Sequence, residues 1–329
     1  MSSERLADLE RELGTATPEH LEGLRSIDAV TMGSLLGELM LGSEVVVELR
    51  EHWDDLRRSA RWLSLLAAMD ARIDRDRGDI DAPIVIWDDL DDVGESGRLV
   101  VFYLVAIQLR KMFAHHERVG VPRDVSLATL GALARHAETH SLKHATTGID
   151  AAWWMQPILR GEILQIGSLK FHLVHLGVGT LSPSPWLDER EATARGEGFR
   201  RGDLSLGVHI PARIDLSARA LDDTFARARE VLARVWPCPT RRLATCQSWM
   251  MDERLDAALG ETSNVVGFQR RFTLIDPYAD DVDQVRYFVF AESAGSLDGA
   301  RLSRVQRVIH DVLSRGDAWH NRTGWLDFD

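Results

Sequence analysis

The sequence predicts an α+β protein, a helical N-terminal domain over residues 1–158 followed by a mixed β-sheet domain with flanking helices over 159–329. Three observations carry this reading. Apolar residues recur at helical spacing through the first half. The period shifts to alternation at 162–174. Beyond that point the chain runs strand, long amphipathic helix, strand: GDLSLGVHIP, then LSARALDDTFARAREVLARVWP, then RRLATCQSWMMD.

In the first half, residues 53–70 (WDDLRRSARWLSLLAAMD) place Leu56, Trp62, Leu63, Leu66 and Met69 largely on one stripe. Gly97 precedes RLVVFYLVAIQLRKMFAHHERVG, apolar almost all round at its centre, as in a helix buried inside a bundle. Gly120, Pro122 and Asp124 break it, and Asp124 or Ser126 can cap the next helix, roughly 126–145. His115-His116 reads as a solvated helix end. PIVIW at 83–87 reads either as a short strand or as the approach to a helix. Asp88, Asp89, Asp91 and Asp92 lack the glycine turn and terminal Glu of a calcium loop and read as a solvated cap. Trp153, Trp154 and Met155 stand just before the domain junction, suited to an apolar tunnel or to a buried interface.

In the second half, Gly167-Ser168 is the expected hairpin turn of the 162–174 pair. Residues 177–201, rich in Gly, Pro and Ser, read as a loop, followed by a strand at 203–210. A helix at 217–236 carries Leu221, Phe225, Ala228, Leu232 and Val235, and Pro237 and Pro239 stop it. Strands are expected at about 241–250, 268–275 and 284–291, and a closing helix at 297–315 with Leu302, Val305, Val308, Ile309 and Val312.

Composition narrows the function. With 45% hydrophobic and 27% charged residues the chain is a folded one. A net charge of −12, from 51 acidic and 39 basic residues, argues against a nucleic-acid groove or an anionic lipid surface as partner. An acidic carrier protein could bind only through a local Arg patch. Two cysteines, Cys238 and Cys246, make no disulfide framework, so a reducing, cytoplasmic setting is expected. The charged N-terminus MSSERLADLERELG lacks the apolar core of a signal peptide, and no window is long and apolar enough to span a membrane.

The residues to weigh for chemistry sit at the strand ends. His209 shares strand parity with Asp203, Ser205 and Gly207, opposite Leu204, Leu206, Val208 and Ile210. Cys246 and Ser248 share one face of the next strand. Ser263 or Asn264 in GETSNVVGF precedes an expected strand and suits a turn cap or a pocket wall. His136, His140 and His144 repeat every four residues on one helix face. With no HExxH and no carboxylate at ligand spacing they read as polar packing, and no metal is expected.

The signatures ILQIGSLKFHL, GVHIP, the run into CQSWMMD and LGETSNVVGFQRRF resemble a family of bacterial two-domain proteins. Its members pair a helical N-terminal domain with a GNAT-like acyltransferase C-terminal domain. The resemblance covers roughly residues 115–290. It implies a sheet that splays open beside the strand at 203–210, where an acyl-CoA or acyl-carrier-protein thioester enters as donor. It implies that the pantetheine arm pairs with backbone near Val208 and Ile210. The pyrophosphate would then lie over the following loop and helix N-terminus, with Arg213, Ser217 and Arg219 as contacts. The loop 212–219 departs from the usual RxxGxG/A pattern by having no glycine, and Asp215, Asp222 and Asp223 stand near it. On this reading His209 takes the proton of an attacking amine, and Cys246 or Ser248 assists the departing thiolate, Cys246 serving alternatively as an acylated nucleophile. The function implied is an acyltransferase moving an acyl group to a small-molecule or peptide amine by direct attack. The alternative is a non-catalytic GNAT-like module binding a small molecule or peptide in the same groove, which the missing glycines favour.

Overall fold

The computed structural model describes residues 3–179, 184–237, 243–290 and 302–328. The chain divides into two compact units, Met1–Leu164 and Gln165–Asp329. Cys238, Pro239 and residues 297–301 lie outside the described residues, as do the side chains of Asp88, Asp89 and Asp91.

The first unit is helical: α1 (Ser3–Leu13), α2 (Pro18–Ser26), α3 (Ala29–Gly37), α4 (Ser43–Arg58), α5 (Ala60–Asp76), α6 (Glu95–Val119), α7 (Arg123–His144) and α8 (Met155–Arg160). The apolar helix expected after Gly97 is α6, buried along Leu99–Ala106 and packed against α3, α4, α5 and α8. Gly97 permits this burial: a Cβ there would lie 2.0 Å from the Leu90 carbonyl oxygen, in the short 3-10 turn Asp88–Val93. Trp53 and Tyr103 anchor the core with ring centroids 5.0 Å apart. Each donates to a backbone carbonyl, Trp53 to Ile27 and Tyr103 to Leu49. Burying side chains of this size stabilises the fold by about 1.5–3 kcal/mol each. Trp153 and Trp154 meet edge to face with ring centroids 4.7 Å apart and pack against this core, and Met155 lies within it.

Two histidine readings are now decided by contacts. His115 and His116 are not a solvated helix end; both are buried, because α6 runs on through the unit as far as Gly120. His136 and His140 engage the carbonyls of Asp150 and Thr146, closing the loop after α7.

The second unit holds a six-stranded sheet in the order β1-β2-β3-β4-β6-β5. The strands are β1 (Ile163–Ile166), β2 (Leu169–His175), β3 (Leu204–His209), β4 (Leu243–Ser248), β5 (Thr273–Asp280) and β6 (His320–Asp327). The β3–β4 pair is parallel; β2–β3, β4–β6 and β5–β6 are antiparallel. Around it lie α9 (Glu189–Arg195), α10 (Ala218–Val235), α11 (Arg254–Leu259), α12 (Asn264–Gln269), α13 (Val282–Val289) and α14 (Arg304–Ser314). The turn at Gly167-Ser168 is present, tied down by Thr224 Oγ1, which accepts the Ser168 N–H at 3.0 Å.

Three expectations are corrected, and one strand was not foreseen. The segment 177–201 contains a helix, α9, started by an Asp188–Glu191 capping box. Asn264 opens helix α12 instead of preceding a strand, so β5 begins only at Thr273. Of the strand expected at 284–291, residues 284–289 fall in α13 and residue 291 lies outside the described residues: Asp281 caps the helix by accepting the Gln284 N–H, and that cap outweighs the β-prone Tyr287-Phe288 pair. The strand β6 carries no apolar alternation to announce it. Its Gly324 is required, since a Cβ there would lie 2.7 Å from both Met251 Cε and Phe272 Cβ. Among the described residues no helix is long and apolar enough to cross a membrane.

Candidate active site

Among the described residues, the strands β3 and β4 are joined in register at Leu206–Ala244 and Gly207–Thr245 only. Beyond those pairs β3 runs on through Val208 and His209, and β4 through Cys246, Gln247 and Ser248. Each strand keeps its other neighbour: Val208 pairs with Phe171 of β2, and Cys246 with Gly324 of β6. The sheet is therefore held from outside on both strands while the parallel seam ends at its middle.

The register also sorts side chains by face. Residues paired across a sheet point the same way, and neighbours along a strand alternate. His209, Gly207 and Ser205 thus share a face with Thr245 and Gln247. On the same face of β2 stand His172, opposite Gly207, and Lys170, opposite His209. The contact of Ser205 Oγ with Thr245 Oγ1 at 3.5 Å fits this assignment. The other face carries Leu206, Val208, Ala244, Cys246 and Ser248. It joins an aromatic layer in which Phe171 meets Phe225 of α10 and Phe328 at 6.1 and 5.7 Å.

The polar face holds the candidate site. His209 is half-buried, and its Nε2 lies 3.4 Å from His172 Nδ1, with ring centroids 5.5 Å apart. His172 and Lys170 are buried. Burial first, then the charges of His172 and Lys170, hold His209 well below the ordinary histidine pKa, so it is a neutral imidazole at physiological pH. A neutral imidazole can accept a proton; an imidazolium cannot.

Cys246 and Ser248 do not join this group. Cys246 is buried in the apolar face, and burial pushes its thiol up to about 12, which leaves it protonated and unreactive at neutral pH. Ser248 Oγ accepts the Met250 N–H at 3.1 Å, capping the turn that ends β4. The sequence treated these residues and His209 as one polar site; the register separates them.

The loop after β3 carries the remaining candidates. Val208 is buried and Ile210 half-buried at the end of the strand. Arg213 is exposed and takes the left-handed conformation, with φ of 59°, the chain reversing there without the glycine that usually does so. Ser217 caps α10 by accepting the Ala220 N–H, and Asp215 in turn accepts from Ser217 N and Oγ at 2.8 and 3.0 Å. Asp222 is drawn to Arg271 at 2.7 Å, and Arg219 stands exposed, 3.9 Å from Asp223. Two of the three aspartates are thus held by partners other than the loop arginines.

His172 and Lys170 are the residues that sequence reasoning missed. Their signal was present: LKFHL sets a lysine and a histidine at the same parity within an apolar strand, an arrangement that costs free energy unless both groups find partners.

Comparisons with known proteins bear on the family of the whole chain. Residues 163–326 match the model of the GNAT-like C-terminal domain, and residues 31–161 that of the N-acyltransferase N-terminal domain. No curated protein matches the chain. Among solved structures, an acyltransferase in complex with decanoyl-CoA and teicoplanin is similar at a TM-score of 0.78 and 25% identity, covering 98% of this chain and 94% of that one. An acyltransferase in complex with CoA and 10C-teicoplanin is similar at 0.73 and 25%, covering 90% and 87%. The reading as a non-catalytic binding module is thereby set aside. The chain belongs to the two-domain N-acyltransferases, with a helical N-terminal domain and a GNAT-like C-terminal domain, and is an acyltransferase.

Proposed function

We propose that this enzyme moves an acyl group from acyl-CoA onto an amine by direct attack, with His209 taking the amine proton. The observation that carries this reading is the end of the β3–β4 seam at Gly207–Thr245, with His209 just beyond it on the polar face. A pantetheine arm is a chain of amides, and a strand edge released from its neighbour offers it backbone partners near Val208 and Ile210. The donor thioester then lies within reach of His209. The amine nitrogen forms a bond to the thioester carbon, its proton passes to His209, and the thiolate departs as the carbonyl re-forms. Cys246 is a buried thiol on the opposite face, which favours direct attack over an acyl-enzyme.

The similar structures hold decanoyl-CoA or CoA with a glycopeptide. They support a medium-chain acyl-CoA as donor and a glycopeptide or other small-molecule amine as acceptor. A reducing, cytoplasmic setting fits the free thiol of Cys246.

The test supplies the purified protein with acyl-CoA from acetyl to dodecanoyl and with unacylated glycopeptide and simple amino-sugar acceptors, and follows release of the CoA thiol and the mass of the product. An amide product, with roughly a hundredfold or greater loss in His209→Ala, is expected. Undiminished transfer in His209→Ala, or no transfer to any amine, overturns the assignment.

A further inference from the structure

We propose that Gln247 is a second catalytic residue, donating a side-chain N–H to the thioester oxygen as negative charge develops there. The inference rests on the reading of the β3–β4 seam as the donor cleft, and its test separates the two.

The geometry comes from three registers. β3 pairs with β2 without interruption from Leu204 to His209, and β4 with β6 from Leu243 to Ser248. Neither strand skips a residue, so side chains keep alternating as far as His209 and Gln247. Two steps beyond the last shared pair, Gly207–Thr245, bring His209 on β3 level with Gln247 on β4, on one face. The two side chains therefore flank the end of the seam, one on each strand. Burial changes at the same step: β4 is buried from Leu243 through Cys246 and exposed at Gln247.

The polar groups beside Gln247 are committed elsewhere. Thr245 Oγ1 lies 3.5 Å from Ser205 Oγ, which donates to the Leu243 carbonyl. Thr323, opposite Gln247 on β6, is buried and donates to the Pro185 carbonyl at 3.4 Å. Ser248 faces the other way and caps a turn. The Gln247 carboxamide has no hydrogen-bond partner among the described residues. It carries two N–H donors at any working pH. A donor paired with β3 near Val208 and Ile210 sets its thioester carbonyl in the gap between the two strands. As the amine attacks, the C–N bond forms, the carbonyl π pair moves onto oxygen and the amine proton passes to His209. Gln247 Nε2 donates to that oxygen until the pair returns and the C–S bond breaks, releasing the thiolate. A donor aimed at developing charge acts mainly in the transition state, so its loss falls on kcat.

The experiment uses the full-length enzyme with decanoyl-CoA, the donor held by similar acyltransferases, carrying 13C at the thioester carbon. Gln247→Leu and Gln247→Glu alter an exposed strand position and should melt as the native protein does. In infrared spectra of the bound donor, the thioester carbonyl band should move to higher wavenumber in Gln247→Leu, as a hydrogen bond is lost. With an amine acceptor, Gln247→Leu should lower kcat roughly a hundredfold, with KM for donor and acceptor nearly unchanged. Gln247→Glu replaces the N–H donors by a carboxylate and should be no better than Gln247→Leu. A Gln247→Glu enzyme with native kcat, or a loss carried by KM for the acceptor alone, would mean that the side chain holds the acceptor amine, and overturns the proposal. So does a carbonyl band indifferent to position 247. Activity that depends on His209 but not on Gln247 removes the role of Gln247 and leaves the cleft standing. Activity indifferent to both His209→Ala and Gln247→Leu removes the cleft itself.

Discussion

His209 and Cys246 stand on adjacent parallel strands and point to opposite faces of the sheet. Gly207 pairs with Thr245; two steps along β3 bring His209 to the face of Thr245, and one step along β4 turns Cys246 away from it. A histidine and a thiol that the linear sequence places together are thereby divided between a polar site and an apolar core.

The first consequence concerns covalent catalysis. Cys246→Ala should leave kcat/KM within roughly threefold of the native enzyme, because the thiol is protonated at neutral pH and faces the core. Its cost should appear in stability, at about 1 kcal/mol for the lost packing. Intact-protein mass spectrometry after rapid mixing with acyl-CoA is the check; an acyl group on Cys246 would refute direct attack.

The second concerns pH. His209 is held well below the ordinary histidine range, so it remains neutral as pH falls through 6.5. Under saturating acceptor amine in its free-base form, kcat/KM for the donor should show no loss from His209 protonation until well below that value. An acid limb centred at 6.5 or above that disappears in His209→Gln would mean that the imidazole is solvated and cationic in the working enzyme.

Stability should also depend on pH through the helical unit. His115 and His116 titrate near 4 in the folded protein, burial being the larger cause for each. Their unfolded value is about 6.5. Between these limits the unfolded chain binds more protons, so stability rises with pH. The contribution is complete above about 6.5 and is lost as pH falls toward 4, on the order of 3 kcal/mol for His116. His116 Nδ1 meets Ser126 Oγ at 3.0 Å, while Nε2 is buried without a hydrogen-bond partner among the described residues. Urea unfolding at pH 7.5 and pH 5 should show the loss, and His116→Leu should reduce it. An equal pH slope in that variant would assign the loss elsewhere.

Glycine substitutions separate space from conformation. Gly324→Ala should destabilise by about 1–3 kcal/mol, since the new methyl meets Met251 and Phe272 at 2.7 Å. Gly267→Ala, in α12 with nothing within 4 Å, should stabilise by about 0.4–1 kcal/mol. Thermal melts of the two variants test both; a stable Gly324→Ala would show that the β6 layer can shift to accommodate it.

The donor's adenosine half should contribute little. The loop 212–219 has no glycine, its Asp215 is folded back on Ser217, and Arg213 and Arg219 are exposed. Exposed arginines supply a few kcal/mol at most through charge-assisted bonds. Acyl-phosphopantetheine should therefore reach a kcat/KM within roughly tenfold of acyl-CoA, with acyl-carrier protein measured alongside. A preference for the full coenzyme of roughly a thousandfold, about 4 kcal/mol, would show that the loop builds its anion site on binding.

By itself the sequence determined the order of elements that carry the site. The strand–helix–strand run from β3 through α10 to β4 is legible because alternation, helical spacing and the Pro237 stop are local properties of the chain. His209 at the end of β3 was legible for the same reason, and so was the Gly167-Ser168 turn. Tertiary structure alone decided which strands are neighbours and in what register. That decision added His172 and Lys170 to His209, since a cross-strand partner is set by hydrogen bonds between distant segments. It removed Cys246 and Ser248, since a one-residue difference in register exchanges the two faces of a strand. It also turned His115 and His116 from a solvated end into core, because burial depends on what packs against a helix and not on the helix's own residues. The strand β6 escaped sequence reasoning for a related cause: lying between β4 and β5, it is held by their backbones and needs no apolar pattern of its own.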